Sequence, residues 1–216
     1  IKKPDFIFHL AGVNRPKSNK DYENNHNFTK FLLDTILDLN KKVPIVFTSS
    51  TKAIQKNSYG NSKIKAEKLL KKFSKENNSP VVIYRLPNIF GKWSKPNYNS
   101  FVATFCSNIL NGIEISIHNP KTKVKLVYVD DVCNSFFKLL EGETKSGFCK
   151  VPVEYEVTVG EVASIIASFK SSQNQLISEQ VGTGLLRALY STYLSYKTPK
   201  DFSYSIPSHE DTRGVF

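Results

Sequence analysis

Apolar positions along this chain alternate between two periods. "DFIFHLAG" (5–12) is a short, near-continuous apolar run closed by small residues, the pattern of a buried strand leading into a loop. From about Asn24 to Leu39 the period changes, and Phe28, Phe31, Leu32, Ile36 and Leu39 recur at helical spacing. "VPIVFTSS" (43–50) is a second buried strand. A second helix carries "YGNSK" and runs on through "KAEKLLKKF", with Ile64, Leu69, Leu70 and Phe73 as its apolar positions. "PVVIYRLPNIFG" (80–91) is a third strand, broken by Pro87 and turned by Gly91.

Three strand-then-helix units with buried strands predict an α/β fold, a doubly wound parallel sheet with helices on both faces. Right-handed crossovers bring the strand C-terminal ends to one edge, where such sheets bind ligands. Ala11 and Gly12, Ser49 and Ser50, and Arg85 to Asn88 all fall at that edge.

After Gly91 the texture changes. The polar loop "KWSKPNYNS" carries the only tryptophan, Trp93, and the helix "FVATFCSNILNG" follows. "KVKLVYVDDVCNSFFKLLEG" reads as a strand feeding a helix. "VTVGEVASIIASF" (157–169) opens with a capping box, Thr158 as N-cap and Glu161 three residues on. Asp130 and Asp131 are either paired carboxylates or, better supported, a cap for "VCNSFFKLL". Trp93 reads as a core residue or loop anchor before it reads as a stacking platform. From Ser171 to Tyr204 the pattern is poorly periodic.

Composition narrows the function classes. The formal charge of +11 invites a nucleic-acid reading, but the excess is lysine spread over solvent faces, with no Arg-rich or aromatic-interleaved stripe. The expectation is therefore no nucleic acid, and at most attraction of an anionic small molecule. No apolar run is long enough for a transmembrane helix, so no membrane partner is expected. Cys106, Cys133 and Cys149 are scattered and odd in number, which suits reduced thiols in a cytoplasmic protein. The four histidines have no metal-ligand spacing, so no metal is expected. With no methionine and an ending "HEDTRGVF", the sequence reads as an internal piece of a longer polypeptide.

Tyr59 and Lys63 lie four apart, hence on one face of a helix. In a chain this rich in tyrosine and lysine roughly one such pair arises by chance, so a surface pair is the competing reading and context decides. A phenol that exchanges a proton near neutral pH needs help, because its reference pKa is about 10. A lysine ammonium one turn away stabilises the phenolate, and a neighbouring hydroxyl can bind a substrate oxygen. The cluster Thr48, Ser49, Ser50 and Thr51, at the end of the preceding strand, is where that hydroxyl is expected.

"FIFHLAG", "VFTSS", "YGNSK", "YRLPNIFG" and "VYVDDV", in that order, resemble the second half of an extended short-chain dehydrogenase/reductase, the nucleotide-sugar epimerase/dehydratase/reductase group. Asn25 is similar to an asparagine often found on the helix after the first of these strands. "HLAGVNRP", "SSTKA", "GKWSKPNYNSFVATFC" and "YSTYLSYKTPKDFSY" resemble, more closely, bacterial capsular-polysaccharide reductases that carry a C-terminal cupin domain. That resemblance implies NADPH (or NADH) reduction of a UDP-linked 4-keto-6-deoxy-2-acetamido sugar on the route to UDP-N-acetyl-L-fucosamine, by a homodimer in the full-length form. Within-family alternatives are an epimerase or dehydratase; the rival from another class is a non-catalytic Rossmann-type binding module. The dehydratase is disfavoured because Thr51-Lys52 stands where an Asp-Glu pair is expected.

Carried over by motif, Tyr59 is the acid, Lys63 binds ribose hydroxyls and depresses the tyrosine pKa, and Ser50, or Thr51, is the hydroxyl partner. Ala11 and Gly12 face the adenosine side of the cofactor, and Leu86, Pro87 and Asn88 the nicotinamide and sugar. Asn97, Asn99 and Arg187 are further substrate candidates. The Gly-rich pyrophosphate turn of the first βαβ half is not within these residues. The expected organisation is 1–92 as the second half of a cofactor domain and 93–200 as mainly a substrate-binding region. A returning strand is expected near 124–130, and 201–216 would be a linker and the start of a truncated cupin.

Overall fold

A computed structural model describes residues 4–38, 40–142, 144–175, 181–203 and 208–215. In chain order the first elements are β1 (Ile7–His9), α1 (Glu23–Asp38), β2 (Ile45–Ser50), α2 (Ser58–Asn77), β3 (Val81–Leu86) and β4 (Asn88–Phe90). There follow α3 (Phe101–Leu110), β5 (Lys123–Tyr128), α4 (Val129–Glu141), β6 (Gly147–Cys149), β7 (Tyr155–Thr158) and α5 (Val159–Asn174). The last are α6 (Gly184–Leu194), α7 (Pro199–Phe202), β8 (Glu210–Asp211) and β9 (Gly214–Val215).

The chain divides into two units, 1–89 with 125–155, and 90–124 with 156–216. The first is built on a parallel sheet in the order β1-β2-β3-β6. Alternation along β2 explains why its sequence is apolar throughout. Ile45 and Phe47 pack with Leu33 and Ile36 of α1 and Ala66, Leu70 and Phe73 of α2. Val46 faces the other way, into a core with Val82, Tyr84 and Leu86 of β3 and Val132 of α4. A parallel strand covered on both faces has no polar side to show. β1 pairs with β2 alone, so among the described residues it is an edge strand.

The expected doubly wound α/β sheet is therefore present, with three local differences. On α1 the buried face is Asn25, Thr29, Leu33 and Ile36, whereas Phe28 and Phe31 are exposed. The aromatic periodicity gives the wrong phase because two buried positions are polar and hydrogen-bonded. Leu39 lies outside the described residues. Helix α4 begins at Val129, so Asp130 and Asp131 occupy its first turn rather than the cap, which is Tyr128. There the carboxylates complement the positive end of the helix dipole. The strand at Lys123–Tyr128 belongs to a three-stranded sheet, β4-β5-β7, and the place beside β3 in the large sheet is taken by β6. "GFC" is too short an apolar run to announce itself.

In the second unit α3, α5 and α6 pack on one another through buried Val102, Phe105, Val162, Ile166, Leu189 and Tyr193. Helix α5 opens with the expected capping box: Thr158 N donates to Glu161 Oε2 at 2.7 Å and Glu161 N to Thr158 Oγ1 at 3.2 Å. β8 and β9 form a short antiparallel ribbon. No helix among the described residues is long and apolar enough to cross a membrane.

Candidate active site

The site begins where β2 runs out. Ser50 is still extended, and its Oγ accepts a hydrogen bond from Lys52 N at 3.1 Å, opening a single 3₁₀ turn over Thr51–Ile54. Asn57 then caps α2, its Oδ1 accepting from Gly60 N at 2.8 Å. Gly60 is needed for close approach: a Cβ there would lie 2.8 Å from Lys52 O and closer still to Gln55 O. The first turn of α2 thus rests directly on the turn that follows β2.

That contact sets Tyr59, half-buried, against Ser50. The Ser50 hydroxyl hydrogen-bonds the phenol oxygen, and the Tyr22 ring meets the Tyr59 ring edge-on at 5.6 Å. Burial raises the Tyr59 pKa above 10.0, and the Ser50 hydrogen bond opposes it without cancelling it. The expected depression by Lys63 is not what this geometry gives. Lys63 Nζ lies 5.9 Å from the Tyr59 ring centroid, and the opposing influence is Ser50.

Lys63 is only 5% exposed. Its Nζ donates to Thr48 O at 3.3 Å, its only hydrogen bond among the described residues, so two N–H groups remain to donate. Burial pushes the Lys63 pKa down and the Glu67 carboxylate opposes. Gly12, after β1, runs alongside: a Cβ on it would come within 3.2 Å of Lys63 Nζ and 3.0 Å of Asn25 Oδ1.

Asn25 explains its place on the buried face of α1. Its Oδ1 accepts from Val13 N at 2.6 Å, and its Nδ2 donates to Val13 O at 3.2 Å and Ser62 Oγ at 3.1 Å. Ser62 Oγ in turn donates to Tyr59 O at 2.8 Å. Thr29 Oγ1 gives its proton to Asn25 O at 2.9 Å, so at its 2.9 Å contact with His9 it must accept. That assigns the His9 proton to Nε2. Burial and the Lys63 charge push the His9 pKa down to about 4, so the ring is neutral near neutral pH.

Behind these groups lies a buried ionic cluster. Glu67, 2% exposed, accepts from Ser49 Oγ at 2.6 Å and takes Arg85 in a two-pronged pair, Nε at 2.9 Å and Nη2 at 2.6 Å. Ser49, one of the strand-end hydroxyls expected as partners of Tyr59, is instead spent on Glu67; Arg85 stood at the same edge without a role, and the sequence reading gives none to Glu67 or His9. The available signal was a carboxylate one turn past Lys63, on the face of α2 that Ala66 and Leu70 mark as buried.

Leu86 is buried directly across the sheet from Ser50, Pro87 is half-buried, and exposed Asn88 donates from Nδ2 to Lys125 O at 3.1 Å. Ala11 is exposed beside Gly12, and Thr51 is exposed at the start of the 3₁₀ turn; it is Ser50 that the structure sets against Tyr59. Asn97, Asn99 and Arg187 belong to the other unit and are all exposed. Of the two readings of Trp93, core residue or loop anchor, its 79% exposure excludes the first; its φ is 61° and its N donates to Ser195 Oγ at 3.2 Å.

Residues 1–148 match the profile of the NAD dependent epimerase/dehydratase family. Over its whole length the chain is 44% identical to a UDP-2-acetamido-2,6-beta-L-arabino-hexul-4-ose reductase from Pseudomonas aeruginosa, spanning 59% of that protein. It superposes with a TM-score of 0.86 on the capsular polysaccharide assembling protein CapF from Staphylococcus aureus, at 38% identity, covering 98% of this chain and 57% of that one. A likeness of fold alone extends to RMD from Pseudomonas aeruginosa complexed with NADPH, at a TM-score of 0.75 and 16% identity over 90% of this chain and 82% of that one.

Proposed function

The chain belongs to the NAD dependent epimerase/dehydratase family, and from that premise we propose that it is the catalytic part of a cytoplasmic, homodimeric NAD(P)H-dependent reductase. Its substrate on this reading is a UDP-linked 4-keto-6-deoxy-2-acetamido sugar for capsular polysaccharide, on the route to UDP-N-acetyl-L-fucosamine. The identity to the Pseudomonas reductase supports the substrate class. The observation that carries the reaction type is the half-buried Tyr59 phenol set against the Ser50 hydroxyl, with Lys63 one helical turn on.

A reduced nicotinamide, when bound, supplies the hydride that a ketone carbon takes up. The chain's own work is on the oxygen. Tyr59 donates its phenolic proton to the carbonyl oxygen as that oxygen gains charge, and Ser50 supplies a second hydroxyl to the same atom. Reduction calls on the tyrosine as an acid, whereas an epimerase begins with it as a base. The residues present fit a dinucleotide. Buried Lys63 has two N–H groups to offer adjacent ribose hydroxyls, and Gly12 leaves beside it the space that a Cβ would fill. Ala11 and Gly12 are assigned to the adenosine side, Leu86 and Pro87 to the nicotinamide. Asn88, and Asn97, Asn99 and Arg187 of the other unit, are assigned to the sugar nucleotide.

The test is stoichiometry. With the UDP-linked keto sugar, the protein should oxidise NADPH in equimolar amount to sugar consumed. Sugar conversion without net NADPH oxidation would favour the epimerase reading instead.

A further inference from the structure

Three consecutive residues at the end of β2 are each tied to a different turn of α2. Thr48 O accepts from Lys63 Nζ at 3.3 Å, Ser49 Oγ donates to Glu67 Oε1 at 2.6 Å, and the Ser50 hydroxyl meets Tyr59. The middle tie is the only one of the three made by a charged group with a third anchor. Glu67 also clamps Arg85, which stands directly across from Ser49 on β3. Both carboxylate oxygens are thereby used, and Glu67 is 2% exposed. A buried carboxylate is costly unless paired and fully hydrogen-bonded, and this one meets both conditions.

From this geometry we propose that Glu67 is a positioning residue, fixing the Ser50 hydroxyl and the Lys63 ammonium in register with Tyr59. This rests on the reductase reading for what the register serves, though not for the register itself. Two effects follow from one carboxylate. Mechanically, it pins the segment Thr48–Ser50 between α2 and β3, so that Ser50 cannot slide along the first turn of α2. Electrostatically, it is the anion that opposes the burial of Lys63.

The charged and titratable groups around Lys63 are few. His9 faces it from β1, neutral; Tyr59 and Glu67 share its own helix; Arg85 lies behind Glu67 on β3; and Tyr22 meets Tyr59. From α1 the facing group is Asn25, which carries no charge. Glu67 is thus the only anion in the set, and it favours the charged form of Lys63 against burial.

Glu67→Gln keeps the shape, and its one oxygen can still accept from Ser49 Oγ and Arg85 Nε, but it removes the charge and the acceptor for Arg85 Nη2. The measurement is the titration of the Lys63 Cε and Nζ resonances by NMR, assigned by difference from Lys63→Arg, with no cofactor or substrate present. The Lys63 midpoint should move to lower pH in Glu67→Gln. In Ser49→Ala, which leaves the Glu67–Arg85 pair intact, the midpoint should stay while kcat falls several-fold at unchanged NADPH KM. An unmoved Lys63 midpoint in a folded Glu67→Gln would overturn the electrostatic half of the proposal. Wild-type kcat in Ser49→Ala would overturn the mechanical half. Should Glu67→Gln not fold, the Ser49→Ala split still decides. Failure of the reductase reading shows separately, as wild-type protein that reduces no keto sugar while the Lys63 titration still responds to Glu67→Gln.

Discussion

Lys63 and His9 both lie against the Phe47 ring, and burial acts on both in the same direction, against charge. For Lys63 the consequence is functional. Lys63→Met removes the two N–H groups assigned to ribose, and a hydrogen bond to a charged group is worth about 1.5–3 kcal/mol. In the full-length enzyme NADPH affinity should fall roughly 10- to 100-fold, with kcat falling alongside it, and calorimetry on the variant checks the first part; unchanged affinity would remove Lys63 from the cofactor site. For His9 the consequence is stability. Its pKa falls from 6.5 in the unfolded chain to about 4 in the folded one. Between those values the unfolded state binds a proton that the folded state refuses. His9 therefore costs nothing above 6.5, and stability is lost as pH falls towards 4. The loss approaches about 1.4 kcal/mol per pH unit. His9→Gln keeps an Nε donor for Thr29 and does not titrate, so its melting temperature should fall less over the same window.

The contact between α2 and the 3₁₀ turn is the element-scale feature on which the site depends, and Gly60 permits it. Gly60→Ala must push the helix start away from backbone oxygens that cannot rotate aside, costing about 1–3 kcal/mol. Activity should fall more than stability, because Tyr59 precedes Gly60 and would move relative to Ser50. Thermal melts and kcat on the same variant test this; wild-type kcat with a lowered melting temperature would mean the spacing is not critical. Much of this level was legible in the sequence. Apolar runs ending in small residues placed β1, β2 and β3 and brought Gly12, Ser50 and Leu86 to one edge, since parallel strands buried on both faces advertise themselves. The phase of α1 was not legible, because Asn25 and Thr29 are buried for their hydrogen bonds and Phe28 and Phe31 are exposed. β6 was missed for its three-residue length. Glu67 was hidden by a lysine-rich helix in which one more carboxylate looks like a solvent-facing ion pair. Ser50 and Thr51 could not be told apart until the turn geometry separated them.

At the scale of the molecule, a sheet edge and a family carry the argument. Among the described residues β1 pairs on one side only, and its outer N–H and C=O groups present a template for another strand. The chain spans 59% of the Pseudomonas reductase, and no Gly-rich strand-to-helix turn for a pyrophosphate occurs within it. Residues 1–216 expressed by themselves should therefore be poorly soluble and show no measurable NADPH binding by calorimetry; micromolar affinity would show that these residues hold a dinucleotide unaided. The account as a whole stands on Tyr59 being the acid of a keto-sugar reduction. The most direct measurement compares, in the full-length enzyme, wild type with Tyr59→Phe for NADPH oxidation driven by the UDP-linked keto sugar, alongside NADPH binding. The account predicts a fall in kcat of about 10²–10⁴-fold with cofactor affinity nearly intact. Wild-type turnover in Tyr59→Phe would contradict it.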